Sequence, residues 1–341
     1  MSSPTFTYPT FVPKPAITSG NGYKCPSCGL ELSIIEGTTT YSCDNNHSFD
    51  RAKEGYINLH LAQHKRSRNP GDSDDMIRSR QRFLNAGYYQ DLAKAIIAHL
   101  GEQDGEQDGE QLVDKRLLDI GCGEGYYLSE IRKVHSELQL VGIDISKTAV
   151  RLAAKRKLDA QLAVDSAFNI SLFDNSIDTA ISVFSPINAP ETSRVLKPGG
   201  TLIMVGPGEQ HLSGLTAHIY DKTQPHKGNY ASLDDSPEFT LKEQIEVSET
   251  ICVKGTAIAD LLRMTPYYWH CTPEQQAQLG TLEQLETPIH FTIRLYQNCA
   301  EALEILEALE ILEAPDTLET PEILEAPEIL ATAETPEAPK E

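Results

Sequence analysis

The sequence predicts an α/β fold built on a seven-stranded sheet, preceded by a small metal-stapled finger and followed by an acidic tail. Three observations carry that reading. An apolar strand, Leu118-Asp119-Ile120, runs into three alternating glycines (Gly121, Gly123, Gly125), and a second apolar run ends at Asp144, 23 residues after Gly121. Strand and helix patterns then alternate, with candidate strands at 116–121, 139–144, 160–164, 177–184 and 201–206 and two later ones, alternating as half-buried strands do, at 245–254 and 289–297. Upstream, two pairs of soft ligands, Cys25-x2-Cys28 and Cys43-x3-His47, stand fourteen residues apart.

Taken in order, residues 1–22 are rich in Pro, Thr and Ser and read as a flexible leader. The finger spans 23–60. Residues 61–115 hold a polar, basic stretch, a helix over 83–100 (Phe83, Leu84, Tyr88, Leu92, Ile96, Ile97 and Leu100 at helical spacing) and the tandem repeat 101–111, which has nothing apolar to bury and reads as a solvated linker. The sheet domain occupies 116–298, with Lys197-Pro198-Gly199-Gly200 as a turn before its fifth strand. Residues 299–341 form an acidic, low-complexity tail in which a short amphipathic helix is stopped by prolines, and 314–341 read as disordered.

The chain of 341 residues carries a net charge of −21, and thirteen acids against one lysine in 301–341 supply more than half of it. Such acidity argues against indiscriminate nucleic-acid binding but allows a local basic surface. Residues 1–22 show no secretory pattern, and no stretch reaches the roughly 18 apolar residues of a membrane span. Three of seven cysteines cluster in 25–43 and four are scattered, which suits a metal site in a reducing cytoplasm better than a disulfide framework.

Cys25, Cys28, Cys43 and His47 offer a closed tetrahedral donor set, each pair bracketing a tight turn, so the expected metal is one structural Zn2+. In a module this small, metal binding would supply most of the folding free energy, about 10–16 kcal/mol. Four protein ligands leave no open position for catalysis. The glycine turn lets a backbone approach a ligand closely, and an acid at the tip of the next strand suits the hydroxyls of a ribose. Its spacing differs from that of the GxGxxG fingerprint, which places a pyrophosphate on a helix. It resembles the first motif of class I S-adenosyl-L-methionine (SAM)-dependent methyltransferases, whose Rossmann-like fold has a seven-stranded sheet. The segment Gln63-His64-Lys65-Arg66-Ser67-Arg68 is either a phosphate-contacting loop or a solvated surface.

Further residues make the resemblance specific. The Cys-Pro-x-Cys finger, the run His47-Ser48-Phe49-Asp50-Arg51-Ala52-Lys53-Glu54-Gly55-Tyr56-Ile57-Asn58-Leu59, Phe83-Leu84-Asn85-Ala86-Gly87-Tyr88-Tyr89, the glycine motif through Tyr127, Leu196-Lys197-Pro198-Gly199-Gly200 and Met264-Thr265-Pro266-Tyr267-Tyr268-Trp269 together resemble the 23S rRNA (guanine-N1)-methyltransferases. The resemblance covers about 23–298, and the basic segment is most similar to the guanine-745 branch. The leader, the repeat and the tail depart from the family pattern.

The resemblance implies that Asp119, Gly121, Gly123 and Gly125 frame the methionine part of SAM and that Tyr126 also binds the cofactor. Asp144 holds the ribose, Ile145 lies against the adenine, and Asp165 and Ser166 contact its amino group. Tyr89 and His211 line the cofactor pocket, although a lone histidine is more often a surface or core residue. Lys65, Arg66, Arg68 and Phe184 are the expected RNA contacts, with a core phenylalanine as the competing reading of Phe184. No general base is identified, so the catalytic residue is unknown. The implied partner is a 23S rRNA hairpin, which the finger at 23–60 is expected to recognise, with no membrane; the sequence leaves open a homodimer. Two other functions compete: a small-molecule class I methyltransferase, which has little use for a finger, and an inactive zinc-dependent RNA-binding protein, against which the intact glycine motif argues.

Overall fold

The computed structural model describes residues 22–64, 70–100, 114–221, 226, 228 and 230–299. The leader to residue 21, Lys65, Arg66 and Arg68, the 101–111 repeat and the tail from residue 300 lie outside the described residues.

The finger is a four-stranded antiparallel sheet in chain order: β1 (Tyr23–Lys24), β2 (Glu31–Ile34), β3 (Thr40–Ser42) and β4 (Ser48–Asp50). Its two ligand turns are tight. The Gly29 amide donates to the Cys25 carbonyl at 2.8 Å, and the Asn46 amide, in the left-handed region at φ 60°, donates to the Cys43 carbonyl at 2.8 Å. The chain then leaves the finger through β5 (Ile57–Asn58).

Two helices follow where the spacing predicts one over 83–100. Ser73 caps α1 (Asp74–Asn85) by accepting the Met76 amide, and Asp74 and Asp75 suit the positive end of the helix dipole. Gly87, at φ 87°, breaks the path, and α2 (Gln90–Ala98) starts afresh after Tyr89.

The main domain alternates β6 (Arg116–Ile120), α3 (Tyr126–Val134), β7 (Gln139–Asp144), α4 (Lys147–Lys155), β8 (Ala160–Val164), β9 (Ile177–Val183), α5 (Ala189–Val195) and β10 (Leu196–Pro207). Short helices α6 (Ser213–Thr216) and α7 (Ala231–Asp234) lead to β11 (Phe239–Lys254), α8 (Thr256–Arg263), a 3-10 turn at Pro266–His270, α9 (Pro273–Gly280) and β12 (Gln284–Asn298). The expected turn at 197–200 is instead an irregularity inside β10, whose register on β9 shifts between Leu196 and Thr201.

The sheet order is β11-β12-β10-β9-β6-β7-β8-β5. Strands β6 to β10 run parallel, and β12 and β11 pair antiparallel beyond β10. The chain lays β7 and β8 on one side of β6 and β9 and β10 on the other. That reversal opens a crevice beyond the carboxyl ends of the strands, where ligands bind in open α/β sheets.

The expected seven strands gain an eighth, because β5 pairs with β8 through Ile57–Ala163 and Asn58–Val164. Tyr23, Cys25, Leu32, Cys43, Ile57 and Leu59 join Leu118, Ile120, Val141, Ile143 and Ala163 in one buried cluster. Finger and sheet therefore share a core and belong to one compact unit.

Candidate functional site

A cavity of about 650 Å3 opens at the crevice. That volume lies within the ~300–1,000 Å3 of small-molecule sites. Its wall holds Gly121, Gly123, Tyr126, Asp144, Ile145, Asp165, Ser166, Phe184, Tyr89 and His211, so the structure brings together most of the site residues read from the sequence.

The three motif glycines serve three purposes. A Cβ on Gly121 would lie 2.0 Å from Ser185 Oγ, so this glycine makes room for the loop after β9. A Cβ on Gly125 would lie 3.0 Å from that of Ala153, where α3 starts against α4. Gly123 has nothing within 4 Å of such a Cβ and faces open cavity, which fits the close approach of a cofactor. Gly125 and Asp119 are not in the cavity wall.

The strand-end acids are held by backbone amides. Asp144 Oδ1 accepts the Ser146 amide at 2.7 Å and Oδ2 the Gly123 amide at 2.9 Å. Each carboxylate oxygen has a second lone pair, which leaves two acceptor sites for a diol. Asp165 accepts the Ser166 amide at 2.9 Å and the Ser171 amide at 2.7 Å, and burial raises its pKa to about 7. Asp119 lies behind the loop, 1% exposed; its Oδ2 has no hydrogen-bond partner among the described residues. Burial, then the charge of Asp144, pushes it up to about 8.

An aromatic wall closes the other side. The ring of Phe291 packs 4.8 Å from Tyr89 and 4.9 Å from His211. Phe184 stands 5.7 Å from His211 and is 43% exposed, so it presents a ring to the cavity and is not core. Its backbone is left-handed at φ 56°, a conformation that costs a non-glycine residue about 1–3 kcal/mol and clusters at functional sites. His211 Nδ1 accepts the His290 amide at 3.3 Å, which places the ring hydrogen on Nε2, 3.4 Å from the Tyr89 hydroxyl. Burial, then His226, lowers the His211 pKa to about 3. His211 is neutral at physiological pH.

Cys25, Cys28, Cys43 and His47 offer ligand atoms within 4.8 Å of one another. Cys28 Sγ and Cys43 Sγ are 3.6 Å apart, and His47 Nδ1 lies 3.6 Å from Cys25 Sγ and 3.5 Å from Cys43 Sγ. A tetrahedron with Zn–S bonds of about 2.3 Å has sulfur–sulfur edges of about 3.8 Å, so the donors fit zinc.

Sequence reasoning missed a buried brace and several wall residues. Glu124, 2% exposed, pairs with Arg156, whose Nε also donates to the Glu124 carbonyl at 2.8 Å; this pins the glycine loop to α4. Arg80, His226, Ser185 and Tyr267 also line the cavity, and Tyr267 Oη lies 2.6 Å from His226 Nε2. The Ser73-Asp74-Asp75 cap was the available signal for the helix that carries Arg80.

The family described as the RlmA N-terminal zinc ribbon matches residues 23–68, and a methyltransferase-domain family matches residues 112–251. A 23S rRNA (guanine(748)-N(1))-methyltransferase of Streptomyces fradiae is 29% identical over 276 residues, covering 79% of this chain and 95% of that protein. A Micromonospora griseorubida protein, provisionally named a 23S rRNA (guanine-N(1)-)-methyltransferase, is 29% identical over 262 residues, covering 73% of this chain and 88% of its own. A demethylmenaquinone methyltransferase of Thermotoga maritima is 27% identical over only 119 residues, 32% of this chain and 52% of that protein. Among solved structures, a Haemonchus contortus phosphoethanolamine N-methyltransferase with S-adenosylhomocysteine gives a TM-score of 0.41 at 16% identity, covering 66% of this chain and 57% of that one.

Proposed function

We propose that this chain, a member of the 23S rRNA (guanine-N1)-methyltransferase family, transfers a methyl group from SAM to N1 of a guanine in a 23S rRNA hairpin. The observation that carries this reading is the joint presence of the zinc ribbon and the methyltransferase cavity in one compact unit. Bound SAM supplies an activated methyl on a sulfonium, so the protein has no covalent intermediate to form. Its task is positioning.

Asp144 offers two acceptor sites to the ribose and Gly123 leaves room for the methionine chain. Ile145, Asp165 and Ser166 stand at the strand ends where adenine is expected. Guanine N1 lies on the Watson–Crick edge, so the base must leave its stack to react. Phe184, held in a strained turn and exposed to the cavity, supplies a ring on which the flipped guanine stacks. His211 is neutral with its hydrogen on Nε2, and Asp165 is engaged with two amides. Neither stands ready to take the N1 proton, which we assign to water.

The basic segment supports guanine 745 as the target, whereas the Streptomyces fradiae relative is named for guanine 748. Primer extension on 23S rRNA, from cells with and without the gene, separates the two because N1-methylguanine blocks Watson–Crick pairing. A stop at 745 that needs the gene supports the reading, a stop at 748 moves the target, and no stop at either overturns it. The partial likeness to a demethylmenaquinone enzyme keeps a small-molecule acceptor as the second reading. Methylation of a quinol precursor, but not of rRNA, by the purified chain would select that second reading. No helix among the described residues is long and apolar enough to cross a membrane. An rRNA substrate supports a cytoplasmic location. Light scattering of the purified chain decides whether it forms a homodimer.

A further inference from the structure

Arg80 is the only arginine or lysine among the described residues of the cavity wall, where four acids (Asp72, Glu124, Asp144, Asp165) also stand. We propose that Arg80 holds the α-carboxylate of the methyl donor and so sets selectivity for an intact amino-acid end. This rests on SAM being the donor, as proposed above.

The argument begins with charge. SAM enters with a carboxylate at the end remote from its adenine. An anion taken out of water needs a partner, and beside the acids of this wall it would be repelled. A guanidinium answers a carboxylate with two parallel N–H donors in a fixed fork. Arg80 is also placed to do so. It sits on α1, its Nη1 is 2.8 Å from Asp72 Oδ2, and its Nη2 donates to the Met264 carbonyl at 3.3 Å. Those two contacts orient the plane and use two of five N–H donors. The side chain remains 34% exposed, so it is reachable from the cavity.

Position selects the cofactor end. Burial raises the pKa values of Tyr89, Tyr127, Glu124 and Asp144, and the Arg80 charge opposes the rise in each. Arg80 therefore lies among the groups around the glycine loop, where the methionine part is expected. The preceding strap comes from the adenosine side: a Cβ on Gly71 would lie 3.1 Å from Ile145 Cγ2. Asp72 thus tethers Arg80 from beside the adenosine pocket. An RNA phosphate is the competing occupant. It is disfavoured because Tyr89 and Glu124, which feel this charge, are themselves buried.

The test compares SAM with decarboxylated SAM, which keeps the sulfonium and the ammonium, by calorimetry on the full chain. The unmodified protein should prefer SAM by roughly ten- to a hundredfold, the range for one charge-assisted contact. Arg80→Ala should abolish that preference by weakening SAM alone, and Arg80→Lys should recover part of it. Equal weakening of both compounds in Arg80→Ala, or an unchanged preference, overturns the proposal. So does unchanged SAM affinity with a flatter salt dependence of RNA binding, which would assign Arg80 to a phosphate. If the unmodified protein bound neither compound, the reading of the cofactor itself would fall.

Discussion

Replacing Asp119 with asparagine should make the stability of the unliganded protein less dependent on pH. The carboxyl is 1% exposed, and burial first and Asp144 second raise its pKa to about 8. In the unfolded chain the same group titrates near ~3.9. The folded state thus binds this proton more tightly. Its contribution is fully present below pH ~4 and is lost as pH rises toward 8. Each pH unit within that window removes up to about 1.4 kcal/mol, which makes about 4 kcal/mol between pH 4 and 7. Asparagine keeps the shape and has no proton to lose. Asp165, raised by burial to about 7, acts with the same sign and leaves a residual slope in the variant. Burial of Asp174 and Glu191 is outweighed by Arg194, which holds both below the usual carboxylate range. Their contribution is lost only as pH falls below that range, so it leaves the window untouched. Urea unfolding at pH 5, 6, 7 and 8 reads the difference. The gap between variant and unmodified protein should widen from about 1.5 kcal/mol at pH 5 to about 4 at pH 7, beyond any constant offset. Parallel curves would refute the reasoning and mean that Asp119 is ionised or solvated in the fold.

Gly121→Ala should destabilise the protein by about 1–3 kcal/mol, since its Cβ would meet Ser185, and Ser185→Gly should rescue part of the loss in thermal unfolding. Gly123→Ala meets no neighbour, so it should cost only about 1 kcal/mol of backbone strain while weakening S-adenosylhomocysteine roughly tenfold by calorimetry. Elemental analysis should find one zinc per chain, and Cys25→Ser should lower both the melting temperature and cofactor affinity; loss of RNA methylation with cofactor affinity intact would show that the finger acts on RNA alone. Changing Lys65, Arg66 and Arg68 together to alanine should flatten the salt dependence of RNA binding by about 0.7 per lost phosphate contact. An unchanged slope would make them ordinary surface charges.

The parts legible in the sequence were those with a strong local signature. The strands at 139–144 and 160–164 match in full, because an apolar run bounded by turn residues has few other solutions. The zinc ligands were legible because paired cysteines at that spacing have little other use. Position along the helix at 74–98 was harder to see. Its first half is polar enough to pass for surface, and the left-handed Gly87 that splits it is an ordinary glycine in the sequence. Arg80 and the Glu124–Arg156 brace were invisible for another reason. Their partners come from distant segments, and no periodicity reports a contact across 32 or 184 residues.

The finger shows most clearly what the chain order conceals. Read along the sequence it is remote from the glycine motif, which predicts an appended RNA-binding module. In the fold its first strand bridges to the segment after β8, where the Lys24 amide donates to the Ser171 carbonyl at 2.9 Å. The Ser171 amide donates in turn to Asp165 Oδ2 at 2.7 Å, and Asp165 lines the cofactor cavity. Lys24 adjoins Cys25, a zinc ligand, and β5, by which the chain leaves the finger, covers the open edge of β8, whose end leads to Asp165. An edge strand left bare exposes unpaired backbone groups. Zinc binding would thus brace the strand beside β8, the strand that leads to Asp165 in the cavity wall. For this reason, loss of the metal should be felt in the cofactor site as well as on RNA. The protein then has one active unit, with the metal as part of its frame.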